Sequence, residues 1–193
     1  MWALVEDNSV TKVFTRPKAL KIGDNQYPAN IFGLWSSSEL EAIGIYDVVD
    51  NSTNLKDPEY YTNASQTFDF ADGTVTASYG TATAKALDDV TEDDGSVTKG
   101  LKTLYKETIN EQAGGILSET DWYRIREADG GTAVPSNVST HRTAVRTKSN
   151  AMCAQIDGAA DVDALAALYE YTNTGTEEEP VFTRPLGEFP ELD

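Results

Sequence analysis

The residues of this sequence best suited to nucleophilic or metal chemistry are one cysteine and one histidine, Cys153 and His141. Both fall in a segment predicted to form one helix, where twelve residues span about 18 Å, so thiol and imidazole cannot meet as nucleophile and base. A zinc site needs three or four protein ligands, which this pair cannot supply. We therefore expect no catalytic residue, no metal ligand and no cofactor. The usual environments of the two residue types favour a buried cysteine and a solvated histidine.

Carboxylates are numerous, but their spacing fits no catalytic or metal-binding motif. The 32 Asp and Glu residues include an acidic run at residues 177–179. An EF-hand loop that began at Asp89 would need glycine at its sixth position and glutamate at its twelfth, where this sequence has Asp94 and Gly100. Weak calcium binding at the surface stays open, as does a pair of distant acids for glycoside hydrolysis. The sequence lacks the motifs of nucleotide-phosphate loops, serine hydrolases and zinc proteases.

The net charge of the chain argues against two classes of partner, nucleic acids and anionic membranes. Fifteen Lys and Arg residues against 32 Asp and Glu give a formal charge of −17. Nucleic-acid binding depends on a basic surface, so we expect no nucleic-acid partner. The excess of acid also opposes anionic membranes, and no apolar run reaches the roughly 20 residues of a membrane-spanning helix. The first seven residues lack the basic region of a signal peptide, so we expect neither secretion by that route nor membrane insertion.

The remaining candidate residues are aromatic and basic, the types that anchor protein interfaces. Five of the 15 Lys and Arg residues lie within residues 124–148 of an otherwise acidic chain, and an aromatic pair precedes them. A local basic face of this kind is not needed for solubility, which the net charge already provides. We predict a partner-binding surface formed by Trp122, Tyr123, Arg124, Arg126, Arg142 and Arg146.

Two plainer interpretations of these residues stay open. Trp122 is at a helix junction, where a tryptophan commonly belongs to the core. The arginines have acidic neighbours at Glu119, Asp121 and Glu127, and exposed pairs of this kind neutralise charge with little effect on binding or stability.

The elements that carry these residues divide the chain into a strand-rich and a helix-rich part. Before residue 98, short β-branched and aromatic runs alternate with turn residues, and the Asp-Gly pair at 72–73 is the strongest hairpin signal. Ser36 and Glu39 form a capping-box pattern at the start of a short helix. We predict an α+β fold with a β-rich domain at 1–98, a helical domain at 99–172 and an acidic, proline-containing tail at 173–193.

Three helices are predicted after residue 99, each from an apolar stripe with a period of 3.6 residues. The first ends or loosens at the glycine pair 114–115, the second covers residues 135–156, and the third begins with Asp161 as its N-cap. Arg142 and Ser149 interrupt the second stripe, so we expect that helix to pack along one narrow seam. The residues expected to be buried are Leu101, Leu104, Tyr105, Ile109 and Ala113 on the first helix, Val138, Val145 and Met152 on the second, and Val162, Leu165, Leu168 and Tyr169 on the third.

One short motif is repeated. The pentapeptide Val-Phe-Thr-Arg-Pro occurs at residues 13–17 and again at residues 181–185. Nothing around the two copies matches, so we interpret them as two strands that each end at an Arg-Pro turn rather than as a structural repeat.

Two segments of the second half carry a family resemblance. Leu-Ser-Glu-Thr-Asp-Trp at residues 117–122, followed by His-Arg-Thr-Ala-Val-Arg at residues 141–146, resembles the C-terminal pattern of tail assembly chaperone proteins of tailed phages. That pattern has a Thr-Asp-Trp opening and a later helix with Tyr-Arg-x-x-Leu-Arg. His141 stands at the Tyr position and Val145 at the Leu position, so the match is partial.

The wider arrangement of the chain is similar to virion-associated or tail-module proteins of marine phages, including cyanophages. The residues that carry this likeness are Tyr-Pro-Ala at 27–29 with Trp-Ser at 35–36, Ala-Met at 151–152 with Ala-Asp-Val-Asp-Ala-Leu at 160–165, and Arg-Pro-Leu-Gly-Glu at 184–188. This group supplies no catalytic residues to carry over.

The resemblances imply a non-enzymatic structural component of a phage tail or tail fibre, located in the virion and, during assembly, in the host cytoplasm. Its partners would be other tail or fibre proteins and further copies of itself, in a homo-oligomer or a symmetric assembly. The alternative is a chaperone of tail or fibre assembly that does not stay in the virion. A glycan-binding or glycan-degrading tail protein is a more remote alternative, supported only by the scattered acids.

Overall fold

A computed structural model describes residues 1–192, and its chain divides into two compact units. The first unit ends at Thr83 and the second begins at Ala84. Helices make up 33% and strands 25% of the chain, with the strands concentrated in the N-terminal half and the helices after it, which confirms the predicted α+β fold. The boundary between the two units, at residues 83–84, lies earlier in the chain than the predicted domain boundary at residue 98.

Strands form most of the first unit. Within residues 1–83 its strands are β1 (Trp2–Glu6), β2 (Ser9–Phe14), β3 (Leu20–Ile22), β4 (Asn25–Tyr27), β5 (Ile45–Asn51), β6 (Tyr61–Thr62), β7 (Gln66–Ala71) and β8 (Thr74–Tyr79). Its two short helices are α1 (Ile31–Leu34) and α2 (Ser37–Glu41). A two-residue strand, β9 (Thr83–Ala84), crosses the boundary between the units.

The main sheet of this unit has the strand order β2-β1-β5-β8-β7. Adjacent strands in this sheet are antiparallel, except for β5 and β8, which are parallel. The hairpin between β7 and β8 turns at Asp72 and Gly73, whose φ angles of 50° and 74° are those of the tight turn predicted there. The two edge strands, β2 and β7, approach each other, so the sheet curls towards closure.

The core of the first unit lies between this sheet and the two short helices. Leu4, Phe14 and Ile45 from the strands are buried together with Ile31 and Phe32 from α1. The rings of Phe14 and Phe32 have their centroids 5.6 Å apart. The predicted capping box at the start of α2 is present, which fixes the direction in which the chain enters that helix.

Helices and short hairpins form the second unit. Between Ala84 and Leu192 the helices are α3 (Leu101–Ser118), α4 (Asp121–Ala128), α5 (Ser136–Asp157) and α6 (Val162–Ala167). The hairpins pair β10 (Val90–Thr91) with β11 (Val97–Thr98), and β12 (Thr172–Asn173) with β13 (Phe182–Thr183).

The start of α3 explains why the second unit includes residues before 98. The Asp89 carboxylate accepts a 2.8 Å hydrogen bond from the backbone N–H of Gly100, and this bond is the main cause that lowers the pKa of Asp89. A Cβ atom at Gly100 would lie 2.3 Å from the carbonyl carbon of Asp88, so only glycine fits here. Leu101 donates a backbone hydrogen bond to Ala86, which completes the attachment of this segment to α3.

The helices α3 and α5 pack against each other in antiparallel directions. Ser149 on α5 contacts Asn110 on α3, with 3.2 Å between Oγ and Oδ1, and Lys106 on α3 pairs with Asp157 at the far end of α5. Of the two effects predicted for residues 114–115, ending the helix is wrong, because α3 continues to Ser118. Contacts between its last turn and α5, described below, offset the cost of about 1 kcal/mol for each internal glycine.

The buried faces of the helices differ from the prediction at several positions. Leu104 is 45% exposed, whereas Ile109 is buried as predicted. Val162 and Leu165 on α6 are buried, but Leu168 and Tyr169, which follow the helix, are only partly so. On α5 the polar residues that were predicted to interrupt the seam are part of it: the buried positions are Val138, His141, Arg142, Val145, Ser149, Met152 and Ile156.

The last part of the chain docks on these helices through one leucine. Leu186 is fully buried, and its backbone N–H donates a 3.0 Å hydrogen bond to the carbonyl of Leu168. Its carbonyl accepts a 2.8 Å hydrogen bond from the ammonium group of Lys148 on α5. These contacts fix the position of the hairpin formed by β12 and β13.

Replacing Ile109 with alanine should lower the free energy of unfolding by about 2–5 kcal/mol, because the change leaves a cavity between α3 and α5. Leu104→Ala on the same helix should cost less than about 1 kcal/mol, since that side chain is largely exposed. Urea titration followed by circular dichroism measures both values. Equal losses would contradict the assignment of the two faces of α3.

Candidate protein-interaction surface

Helix α4 carries the most exposed large side chains of the predicted partner-binding region. None of its eight residues, all within the described part of the chain, is buried. Trp122 is 50% exposed and Ile125 is 62% exposed. Trp122 is therefore not a core residue, and the interpretation that placed it in the core is wrong. Large apolar side chains that share one exposed helix face are typical of an interaction site.

An aromatic and cationic cluster is built onto this helix. The rings of Trp122 and Tyr123 stack with their centroids 3.7 Å apart. The guanidinium carbon of Arg126 lies 5.0 Å from one ring centroid and 5.2 Å from the other, within the range of cation–π attraction. Arg126 also donates hydrogen bonds of 3.1 Å and 3.3 Å to the carbonyls of Thr132 and Ala133. The cluster is thus held in one arrangement by the loop that follows α4.

The other arginine of α4, Arg124, is exposed, and its charge is partly neutralised by an ion pair with Glu127. Its guanidinium lies 3.3 Å from the carboxylate of Glu127 and donates a 3.2 Å hydrogen bond to the hydroxyl of Ser139 on α5. Both partners of the ion pair remain about half exposed, so the pair contributes little to stability. Arg124 is available at the rim of the surface formed by Trp122 and Ile125.

Arg142 is not part of this surface, contrary to the prediction. Only 5% of the residue is exposed. Its guanidinium donates hydrogen bonds to the carbonyl of Leu117, to the hydroxyl of Thr120 at 2.6 Å and to the carboxylate of Asp121 at 2.7 Å. The neutralising interpretation therefore holds for this residue. Arg142 acts on the surface indirectly, because it fixes the end of α3 and the start of α4.

Arg146 lies one turn further along α5 and is exposed. Its guanidinium reaches back to the carbonyl of Arg142 at 3.4 Å, a weak contact. Among the described residues, Arg146 has no ion pair, so its charge is free for a partner. The structure thus brings four of the six predicted residues together on α4 and leaves Arg146 on a second helix.

The environments of Cys153 and His141 differ from those expected. His141 is buried, and its Nδ1 has no hydrogen-bond partner among the described residues. Cys153 is only partly buried, and burial raises the pKa of its thiol, which makes it a poorer nucleophile at neutral pH. The two residues are on the same helix, as predicted. Within residues 1–192 no group of three or more His, Cys, Asp or Glu residues is arranged to hold a metal ion.

Sequence analysis did not identify Ile125, the most exposed apolar residue of α4. A helix places residues three apart on the same face, so Ile125 follows directly from the position of Trp122. The sequence predicted no helix between residues 115 and 135, so this spacing was not available there.

Comparison with known proteins identifies no relative. No protein-family model matches the chain, and no curated protein or solved structure is significantly similar to it. The structure contains no helix, within the residues it describes, that is long and apolar enough to cross a membrane.

Arg142→Ala should lower the free energy of unfolding by about 1.5–3 kcal/mol, the usual value for hydrogen bonds to a charged group. It should also speed hydrogen exchange at the amides of α4, because that helix loses its attachment. Arg146→Ala is the matched control and should change stability by less than about 0.5 kcal/mol. Unchanged exchange in α4 of the Arg142 variant would show that this guanidinium does not position the helix.

Proposed function

We propose that this chain is a non-enzymatic structural component of a bacteriophage tail or tail fibre and acts through protein–protein contacts made by α4. The observation that carries the proposal is the exposed face of α4, where Trp122 and Ile125 project beside an ordered aromatic and cationic cluster. The resemblance of the sequence to tail-module proteins supports a phage tail as the assembly that contains this chain. In this role the protein would reside in the virion tail, after assembly in the host cytoplasm.

The chemistry of the α4 surface is that of an interface anchor. Tryptophan, tyrosine and arginine are the residue types that most often dominate binding energy, because each combines a large apolar area with a polar or charged group. Trp122 and Ile125 supply the apolar area, and Arg124 supplies a charge at the rim. The buried Arg142 and the loop contacts of Arg126 hold these groups before a partner arrives, which lowers the entropic cost of binding.

A second function, a chaperone of tail or fibre assembly, is favoured by one specific observation. The segment that resembles assembly chaperones, residues 117–146, contains all of α4 and the turn of α5 that carries Arg142. A chaperone would use the same surface to cover a tail or fibre protein and would then leave. The two functions differ in whether the chain remains in the finished particle.

The double variant Trp122→Ser with Ile125→Ser should fold normally, because both side chains are exposed, but should be lost from phage particles. Quantitative mass spectrometry of purified particles measures this loss, and circular dichroism of the purified variant confirms its fold. Leu104→Ser is the matched control, since it removes an exposed leucine from α3 without touching α4.

Mass spectrometry of purified particles, together with deletion of the chain, separates the structural component from the chaperone. A stoichiometric amount of the unaltered chain in particles supports the structural component. Its absence from particles, together with missing fibres when the chain is deleted, supports the chaperone. Normal incorporation of the double variant would contradict the role of α4.

A further inference from the structure

An unpaired basic surface lies in the first unit of this acidic protein. Four of the five Lys and Arg residues in positions 1–83 fall between residues 12 and 21, and no acidic residue occurs between Asp7 and Asp24. We name them the basic surface: Lys12, Arg16, Lys18 and Lys21. All four are exposed, and none has an ion pair or a side-chain hydrogen bond within the described residues. The net charge of −17 conceals this surface in the composition of the chain.

The basic surface has an apolar floor. Residues 12–18 line a cavity of about 410 Å³, and its wall includes Val13, Phe14 and Pro17. The ammonium group of Lys12 lies 5.5 Å from the centroid of the Phe14 ring. A cavity of this size accepts an aromatic side chain, with three cations at its rim.

Protection of a sheet edge does not account for this charge. β2 is an edge strand, and a lysine on such a strand commonly prevents unwanted pairing with another chain. Only Lys12 belongs to β2, however, whereas Arg16 and Lys18 follow it in a loop and Lys21 lies in β3. Three of the four charges therefore need another explanation.

A surface of complementary chemistry lies in the second unit of the same chain. We name it the acidic hairpin, meaning β12, β13 and their connecting loop with Glu177, Glu178 and Glu179. The three carboxylates are exposed and have no ion pair in the described structure. Phe182 on β13 is 63% exposed. Of the six phenylalanines, all within the described residues, it alone is exposed.

The acidic hairpin is held in a fixed shape. The side-chain carbonyl of Asn173 accepts hydrogen bonds of 3.0 Å from the backbone N–H groups of Gly175 and Val181. The backbone N–H of Thr176 donates to the carbonyl of Glu179 at 3.1 Å, which closes the loop. Its carboxylates and Phe182 therefore project from a pre-formed hairpin, and binding does not require this segment to fold.

The repeated pentapeptide occupies opposite environments in the two units. Phe14 is buried in the core of the first unit and Arg16 is unpaired, whereas Phe182 is exposed and Arg184 is paired with Glu188 at 2.7 Å. Both copies run through a strand towards an Arg-Pro turn, as predicted. The second pentapeptide therefore offers an exposed ring, Phe182, and the first offers an unpaired cation, Arg16. These two groups are complementary in chemistry.

We propose that copies of this chain associate head to tail, with the acidic hairpin of one copy bound to the basic surface of the next. Phe182 enters the cavity, and Glu177–Glu179 face the cations at its rim. The charges at the cavity rim and those of the hairpin loop lie within about five residues of Phe14 and Phe182 respectively, a reach of at most about 18 Å, so one contact can bury the ring and pair these charges. The inference rests on the proposed function as an assembly component and names a second copy as one of its partners.

The symmetry of this contact follows from the two different surfaces. An interface that joins unlike surfaces is heterologous, so it generates a ring when the rotation closes and a filament when it does not. The net charge opposes association at low ionic strength. At about 0.15 M salt the screening length falls to about 8 Å, which suppresses the distant repulsion and leaves the close pairs effective.

Sedimentation velocity of the full chain over a range of concentrations, in 0.15 M salt, tests the proposal. The first variant reverses the basic surface with Lys12→Glu, Arg16→Glu and Lys18→Glu, and the second reverses the hairpin with Glu177→Lys, Glu178→Lys and Glu179→Lys. Each variant alone should associate at least tenfold more weakly than the unaltered chain. An equimolar mixture should associate again, because every reversed surface then meets an oppositely charged one.

Two controls separate this contact from general charge effects. The hairpin variant has a smaller net negative charge, so weaker repulsion alone would make it associate more strongly, which is the opposite of our expectation. The variant Glu41→Lys with Asp93→Lys and Glu111→Lys changes the net charge equally and should associate like the unaltered chain. Phe182→Ser should weaken association with no change in charge.

Several results would overturn the inference. They are an unaltered chain that stays monomeric at every concentration, a hairpin variant that associates normally, and a mixture that fails to restore association. The presence of the chain in phage particles is a separate measurement, so failure of self-association does not count against the proposed function. Conversely, self-association of a chain that is absent from particles would support the contact and contradict the structural role.

Discussion

The buried guanidinium of Arg142 is the interaction on which the arrangement of the second unit depends. It lies where the C-terminus of α3 meets the N-terminus of α4, and it donates to Leu117, Thr120 and Asp121. A cation is favourable at a helix C-terminus, and a carboxylate is favourable at a helix N-terminus. The guanidinium of Arg142 therefore satisfies a carbonyl at the end of α3, and the Asp121 carboxylate at the start of α4 compensates its charge. Without such partners, a buried charge would cost more than the packing of α5 could offset.

This arrangement explains how a helix with no buried residue keeps a fixed position. An isolated helix of eight residues is unstable in water, and α4 has no apolar face against the core. Its attachments are instead polar: Arg142 at its start, Arg124 to Ser139 in its middle and Arg126 to the following loop at its end. Because polar contacts hold the helix, its apolar residues remain available at the surface. The polar contacts that hold α4 in place are therefore also the reason that Trp122 and Ile125 stay exposed.

The sequence predicted the features that local chemistry determines and missed those that depend on distant partners. The turn at Asp72 and Gly73, the capping box of α2 and the N-cap of α6 all follow from residues within a few positions of each other. The roles of Arg142 and Ser149 depend on residues 20 or more positions away, so these polar side chains in the α5 seam were interpreted as interruptions. The acid-rich composition likewise hid the basic surface, because the net charge sums over the whole chain.

The two proposed contacts differ in chemistry, and this difference keeps them independent. The α4 surface is mainly aromatic and apolar, so salt affects its binding weakly, whereas the contact between the acidic hairpin and the basic surface depends on close charge pairs. A cationic surface is repelled more strongly by the four charges of the basic surface than by α4, and a small polar surface fills neither site. An assembly component that must join copies of itself and also a different protein requires this separation. Each partner is then favoured by a surface of different chemistry.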